Sequence, residues 1–362
     1  MVTSGGSLRG ILFDWGGTLM REIPGFDGPM ADWPRVEAIP GAAETLRSLH
    51  GAYAIAVATN AALSDERLVR TALARVGLDG YVSVVATARD LGTSKPDPEF
   101  FHVVVKRIGC PPAEAAMVGD SYGSDVVGAK AAELRAIWFN PAGAPCPVVH
   151  PVHDAEIRAL ADLPTVLGRR WLPDIAEALA ILRSHEVPPN IVRHSGAVAA
   201  AAHHLGRRLR DAGIPVDPLV VHRGGLLHDL DKVSSETPAE HGVKSGRILR
   251  ELGWPDLAGI AERHVLGSTP LTWEEKLVHY ADKIVEEDEL VGLVDRVTAL
   301  SCRYAAAGDQ ITRALPQLLA LEQEIVRHLA APQDTIMAEL RRLDPGLPPL
   351  VSLPGAAYDR LA

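Results

Sequence analysis

Between residues 8 and 139 the chain alternates short β-rich runs with helical stretches, and that alternation constrains the fold most. GILF, YAIAVAT, YVSVV, AAMVGD and AIWF are the candidate strands. Between them LSDERLVRTALARVG, PEFFHVVVKRIG and SDVVGAKAAE carry apolar residues at helical spacing. Strand, helix, strand repetition predicts a parallel sheet covered on both faces, with ligands at the carboxyl ends of the strands. The segment NPAGAPCPVVHP is crowded with proline and reads as the exit from that layer. EIRALADLPTVL is expected to pack back before the boundary. From about Pro188 the pattern turns helical throughout, with apolar faces over residues 190–210, 218–230 and 238–252. Thr237 with Glu240 and Thr272 with Glu275 read as capping boxes, and Gly253 as a stop. The expected fold class is α/β plus all-α: an N-terminal Rossmann-like parallel sheet followed by an all-helical domain.

At 362 residues the chain is too long for one ordinary core, which fits two domains. No run approaches the roughly 18 apolar residues of a membrane span, and MVTSGGSLRG lacks the regions of a secretion signal. Cys110, Cys146 and Cys302 are scattered, so neither a disulfide framework nor a thiolate zinc site is expected. These features predict a cytoplasmic protein. A net charge of −10 argues against general nucleic-acid binding, though a local pocket for a small phosphate is compatible with it. Twelve of the fourteen histidines lie at or beyond His150, so the halves are expected to do different chemistry.

Four pieces fall at predicted strand ends in the first half: Asp14 in FDWGGTL, Thr59 in VATN, Lys95 in SKPDPEFF, and Asp120 with Asp125 in VGDSYGSD. A carboxylate such as Asp14 can attack phosphorus and form an aspartyl-phosphate. Thr59 and Lys95 can hold phosphate oxygens, and Asp120 and Asp125 can hold magnesium. In this order, over roughly residues 8–165, the set resembles the haloacid dehalogenase-like superfamily, mostly aspartate-dependent phosphatases. The resemblance implies a Mg2+ site around Asp14, Gly16, Asp120 and Asp125. It also exposes a departure: phosphatases of that family carry a second Asp where Gly16 stands, which protonates the leaving group and later activates water. Phosphonate-cleaving relatives also lack it, and use a lysine from an inserted cap. The gaps here, 45 residues from Asp14 to Thr59 (59 − 14) and 36 from Thr59 to Lys95 (95 − 59), hold no large cap. Two readings stay open, a slow capless phosphatase and a retained phosphate-binding module.

The second half contains LLHDLDK, with His194 upstream and His241, His264 and Asp282 downstream. A neighbouring His228-Asp229 pair can supply two ligands to one metal. Helical spacing aligns His194 with Ile191, Val198, Ala201 and Leu205, His241 with Ile248 and Leu252, and His264 with Leu257, Ile260 and Ala261. Asp282 lies between Val278 and Val285, so four helices are expected to turn a ligand to their buried side. Two buried carboxylates without partners would be costly, which favours a metal over hydrogen-bonded core histidines.

The order His, His-Asp, His, His, Asp over about residues 188–300 resembles the HD superfamily of metal-dependent phosphohydrolases. AEHGVKSGRIL, AERHVLG and EKLVHYADKI look most like members related to symmetrical dinucleoside tetraphosphate hydrolases. The resemblance implies two divalent transition metals, iron or manganese. His194, His228, Asp229 and Asp282 would hold one, with Asp229 bridging to a second on His241 and His264. Lys232 would contact phosphate. Asp231 departs from the small residue usual before that lysine. His185, His203, His204, His222 and His279 read as surface or structural residues.

The expected layout is a haloacid dehalogenase-like domain at 1–170, a linker at 171–187, the HD domain at 188–310, and C-terminal helices and tail at 311–362. The expected function is phosphohydrolysis of a small phosphorylated substrate, a nucleotide among the candidates, with Asp14, Thr59, Lys95, Asp229 and Lys232 in catalytic roles. The HD half would be the main catalyst. A di-iron oxygenase and a non-catalytic phosphometabolite sensor are the alternatives, and a dimer stays open.

Overall fold

The structure, a computed structural model, describes residues 7–235, 237, 240–303 and 308–347. It divides into two compact units.

The first unit, which includes residues 152–171, is built on a six-stranded parallel sheet. Its strands are β1 (Gly10–Phe13), β2 (Ala54–Thr59), β3 (Val84–Thr87), β4 (Ala115–Gly119), β5 (Arg135–Phe139) and β6 (Ala155–Ile157). They lie in the order β3-β2-β1-β4-β5-β6. Every residue of β1 and β4 is buried, as a sheet covered on both faces requires. Ile11, Phe13, Ile55, Val57, Val118 and Phe139 share one core. The strand order reverses at β1, so the crevice beyond β1 and β4 is the topological switch point.

Three local differences from the sequence pattern have causes in the chain. Tyr81, expected in a strand, sits in the 3-10 turn Asp79–Tyr81 that ends the preceding connection. SDVVGAKAAE is split between a π-helical turn, Tyr122–Val127, and the short helix Gly128–Ala131. EIRALADLPTVL opens as the edge strand β6 before its helical part, and Ile157, Leu160 and Leu163 enter the core.

The second unit is Val149–Pro151 with Leu172–Leu347. Where the sequence suggests a linker, Ile175–Ser184 is a helix with a capping box between Asp174 and Glu177. The helices Pro189–Asp211, Pro218–Leu227, Val243–Glu251, Pro255–Arg263 and Trp273–Asp282 follow. Thr272 and Glu275 form their capping box as read from the sequence. The other box, Thr237 with Glu240, does not start its helix, although Pro238 and Ala239 lie outside the described residues. That helix begins after Gly242, and Asp231 supplies the cap from a distance. Its Oδ2 accepts from the N–H groups of Gly242 (2.9 Å) and Ser245 (3.0 Å). Beyond residue 310 the expected packing helices are Gly308–Leu329 and Gln333–Leu340. Among the described residues no helix is long and apolar enough to cross a membrane.

Candidate active sites

β1 and β4 each place an aspartate one residue past the strand end, Asp14 and Asp120. Phe13 pairs with Val118, and the Asp14 N–H donates to Val118 O (2.9 Å), so both carboxylates emerge at one end of the sheet. Thr59 ends β2 and is buried. Lys95, 4% exposed, places Nζ 2.6 Å from Asp14 Oδ1 and 2.6 Å from Asp125 Oδ1. One oxygen of each of Asp14, Asp120 and Asp125 lies within 4.8 Å of the others. An all-oxygen set of this kind suits magnesium. Gly17 has φ 79°, and a Cβ there would lie 2.5 Å from Asp120 Oδ2, so only glycine fits beside that carboxylate. Gly16 offers main-chain atoms only.

Burial pushes the Asp125 carboxyl up to about 7, with Lys95 opposing and Asp14 adding to the rise. Burial, then Asp14, also raises Asp120. Burial disfavours the Lys95 ammonium, but Asp14 and Asp125 outweigh it and the pKa rises. Two supporting residues were not singled out in the sequence. Thr18 donates to Asp120 Oδ1 (3.1 Å), and Asn60 clamps the Lys95 peptide, giving to its O and accepting from its N–H at 2.8 Å each.

In the second unit the four candidate ligand histidines are tied back at Nδ1 and turn Nε2 inward. His194 Nδ1 donates to Glu287 O (2.7 Å), His228 to Gly225 O (2.8 Å) and His264 to Ala261 O (2.6 Å). His241 Nδ1 donates to Asp231 Oδ1 (2.8 Å). These bonds assign the tautomers that leave Nε2 free for a ligand role. His194 Nε2 lies 3.0 Å from Asp282 Oδ1. His264 and His241 place Nε2 at 3.2 and 3.1 Å from Asp229 Oδ1. His228 Nε2 is buried without a hydrogen-bond partner, 3.7 Å from Asp229 Oδ2 and 3.8 Å from Asp282 Oδ1. A buried ring nitrogen facing two buried carboxylates beyond hydrogen-bond reach fits a cation between them.

The ligand atoms form two groups sharing His228: His194, His228 and Asp282, and His228, Asp229 and His264. His241 adjoins the second, its Nε2 3.2 Å from His264 Nε2. Lys232 reaches in from the surface, 3.1 Å from Asp229 Oδ2. The expectation that four helices each turn a ligand to their buried side holds for His194 and Asp282 but not for His241 and His264. His228 and His264 are the C-caps of their helices, Asp282 is the last residue of its helix, and His241 precedes Gly242. The reason is local: the last carbonyls of a helix lack amide partners, so Gly225 O and Ala261 O are free to take the imidazole N–H three residues on. The negative helix ends also favour a cation there.

A haloacid dehalogenase-like hydrolase family model matches residues 25–133, and an HD-domain model matches residues 191–300. The chain joins a haloacid dehalogenase-like hydrolase domain to an HD domain. An uncharacterised protein of Methanocaldococcus jannaschii is 34% identical over 159 residues, covering 39% of this chain and 93% of that one. The phosphoserine phosphatase of Thermus thermophilus is 41% identical over 73 residues, 20% of this chain and 29% of that one. The ribulose-1,5-bisphosphate 5-phosphatase of Halopiger xanaduensis is 35% identical over 104 residues, 28% of this chain and 42% of that one. The chain thus spans less than half the length of these two phosphatases.

In the HD domain, burial alone would raise the Asp229 carboxyl, but His228, His241, His264 and Lys232 hold it well below the usual range. Asp282 is likewise depressed: Lys283, His194 and His228 overcome burial. Burial lowers His264 to about 4. Burial opposes protonation of His241 too, but Asp229 and Asp231 raise it to about 9. Three residues of this domain carry roles not assigned from the sequence. Lys283, buried, bonds Asp282 Oδ2 and donates to His264 O (3.0 Å). Glu287 takes a left-handed φ of 54° in the turn between Val285–Glu286 and Glu289–Leu290, and its carbonyl anchors His194. Asp231, fully buried, orients His241.

Proposed function

We propose that the protein is a metal-dependent phosphohydrolase with two separate sites, and that the HD domain is its main catalyst. The observation that carries this reading is the unpartnered His228 Nε2 among three other inward-facing imidazoles and two buried carboxylates. Iron or manganese suits such a mixed nitrogen and oxygen set. Bound there, divalent metals would supply Lewis acidity and a water of lowered pKa. The chain's own residues do the rest: Asp229 and Asp282 hold negative charge, the Nδ1 anchors fix each ring, and Lys232 meets an incoming phosphate oxygen. A nucleotide-like phosphoester or phosphoanhydride is the substrate class we favour, from the resemblance of AEHGVKSGRIL to dinucleoside tetraphosphate hydrolases.

In the haloacid dehalogenase-like domain, Asp14 would attack phosphorus while Thr59 and Lys95 hold phosphate oxygens and Asp120 and Asp125 hold magnesium. Its likeness to phosphatases of phosphoserine and ribulose-1,5-bisphosphate supports a small phosphorylated metabolite there. The test is elemental analysis of protein purified without added metal, followed by a phosphorylated-metabolite screen on the parent, Asp14→Asn and Asp229→Asn proteins. Two transition metals per chain and hydrolysis lost with Asp229→Asn but kept with Asp14→Asn are expected. Hydrolysis lost with Asp14→Asn alone would reverse the ranking of the domains. Oxygen consumption with a mixed-valent iron signal would replace hydrolysis by oxygenation.

A further inference from the structure

The turn that follows Asp14 brings an unassigned carboxylate back to the position where the sequence lacks one. Leu19 and Met20 N–H groups both donate to Trp15 O (3.0 and 2.8 Å), and Gly17 N–H donates to Met20 O (2.9 Å). The chain therefore doubles back at once. The returning segment is pinned by Arg21 N–H on Glu37 O (2.8 Å), by Ile39 N–H on Leu19 O (2.9 Å), and by a bridge between Met20 and Ala38. Glu22 comes next, and its side chain lies over Gly16. A Cβ built on Gly16 would meet Glu22 Oε1 at 2.7 Å and Cδ at 3.5 Å. The carboxylate end of Glu22 therefore lies against Gly16. Gly16 is not in the left-handed region, so its backbone does not demand glycine, and the atom lying over it is the free end of a flexible side chain. Glu22 is solvent-exposed, and no cation among the described residues pairs with it.

We propose that Glu22 performs the proton transfers at the Asp14 site, in place of the carboxylate that position 16 lacks. This rests on the phosphatase reading of that domain. In the first step Asp14 bonds to phosphorus, the bond from phosphorus to the leaving oxygen breaks, and the Glu22 carboxyl gives that oxygen its proton. In the second, Glu22 takes a proton from water, the water oxygen bonds to phosphorus, and the bond to Asp14 breaks. Phosphate leaves, Asp14 is again a carboxylate, and Glu22 is again protonated.

The test uses the full chain with the HD domain silenced by Asp229→Asn. Turnover of an alkyl phosphate and of p-nitrophenyl phosphate is measured, together with covalent phosphate on Asp14 trapped by acid quench and read by mass spectrometry. Circular dichroism confirms that each variant folds. Glu22→Gln is expected to slow phosphorylation of Asp14 by the alkyl phosphate roughly 10²-fold and the first-turnover release of p-nitrophenol far less, while steady turnover of both falls and phosphorylated Asp14 accumulates with the aryl substrate. Gly16→Asp alone should give little gain, because the new carboxylate displaces the Glu22 end and takes over the same proton transfers. Gly16→Asp with Glu22→Ala should recover alkyl turnover lost in Glu22→Ala. Alkyl turnover unchanged in Glu22→Gln, without accumulation, overturns the assignment and leaves the domain a phosphatase. If no folded variant, nor the parent, phosphorylates Asp14, the phosphatase reading and the role of Glu22 fall together.

Discussion

In the haloacid dehalogenase-like domain a lysine sits inside the carboxylate cluster, with Lys95 Nζ bridging Asp14 and Asp125 at 2.6 Å each. In the HD domain Lys232 and Lys283 also meet Asp229 and Asp282, but these carboxylates face imidazoles as well, whose outer nitrogens are all tied back and one of whose inner nitrogens has no partner. The first cluster carries its own counter-charge and can stand folded without a metal. The second leaves a buried polar atom unsatisfied until a cation arrives, which is costly in a low-dielectric interior. Metal should therefore be exchangeable in the first domain and retained through purification in the second.

The largest effect is expected from Asp229→Asn, which removes the charge that three imidazoles and Lys232 face. It should lower HD-domain hydrolysis about a thousandfold and release metal, checked by initial rates and elemental analysis. Full activity with metals retained would break the contrast between the domains. Next comes Lys95→Met, which strands two buried carboxylates. Removing one partner of a buried ion pair costs about 3–5 kcal/mol, and added magnesium should recover part of it. Thermal melts with and without magnesium check this; a melt unchanged in both would mean the lysine is not the internal counter-charge. Smaller again is Asp231→Asn. Loss of a carboxylate that orients a ligand histidine typically weakens metal binding by about 10- to 100-fold. Metal titration of the variant measures this, and unchanged affinity would leave Asp231 as a helix cap alone.

The sequence revealed what is local and hid what is not. Asp14, Thr59, Lys95 and Asp120 were legible because each stands at or just beyond a strand or in a marked turn, and the sheet order brings strand ends together. The capping box of Thr272 was legible because both partners lie within one turn. The edge strand β6 was not, since its three residues carry too short a pattern. Asp231 reads from sequence as an oddity beside Lys232. Its partners His241, Gly242 and Ser245 are 10, 11 and 14 residues away, and only the folded chain brings them round the carboxylate. Glu22 was hidden for a similar reason: a turn, not a spacing rule, returns it to Gly16. The candidate metal-ligand histidines were recognisable by type and order. The placement of His228 and His264 at helix C-termini was not, because it follows from unpaired carbonyls rather than from apolar periodicity.

The smallest expected effect concerns protons, and it separates the domains by pH. His241 is held between Asp229 and Asp231 and titrates at about 9, so the metal-free HD domain carries a proton there at neutral pH. A metal taking Nε2 must displace it, so apparent affinity should rise with pH until the proton is lost near 9. One displaced proton gives about tenfold per pH unit. The raised pKa of His228 acts in the same direction. In the other domain the group that competes with magnesium is Asp125, raised to about 7. There affinity should fall as pH drops below about 7 and be nearly level above it. Between pH 7.5 and 8.5 the two sites should therefore diverge, the HD site still gaining affinity and the magnesium site flat. Calorimetric titration in two buffers of different ionisation enthalpy would count the released proton directly. Equal slopes at both sites, or no proton release from the HD domain, would mean that neither His241 nor His228 gives up a proton to a metal, and would undo the contrast between the domains.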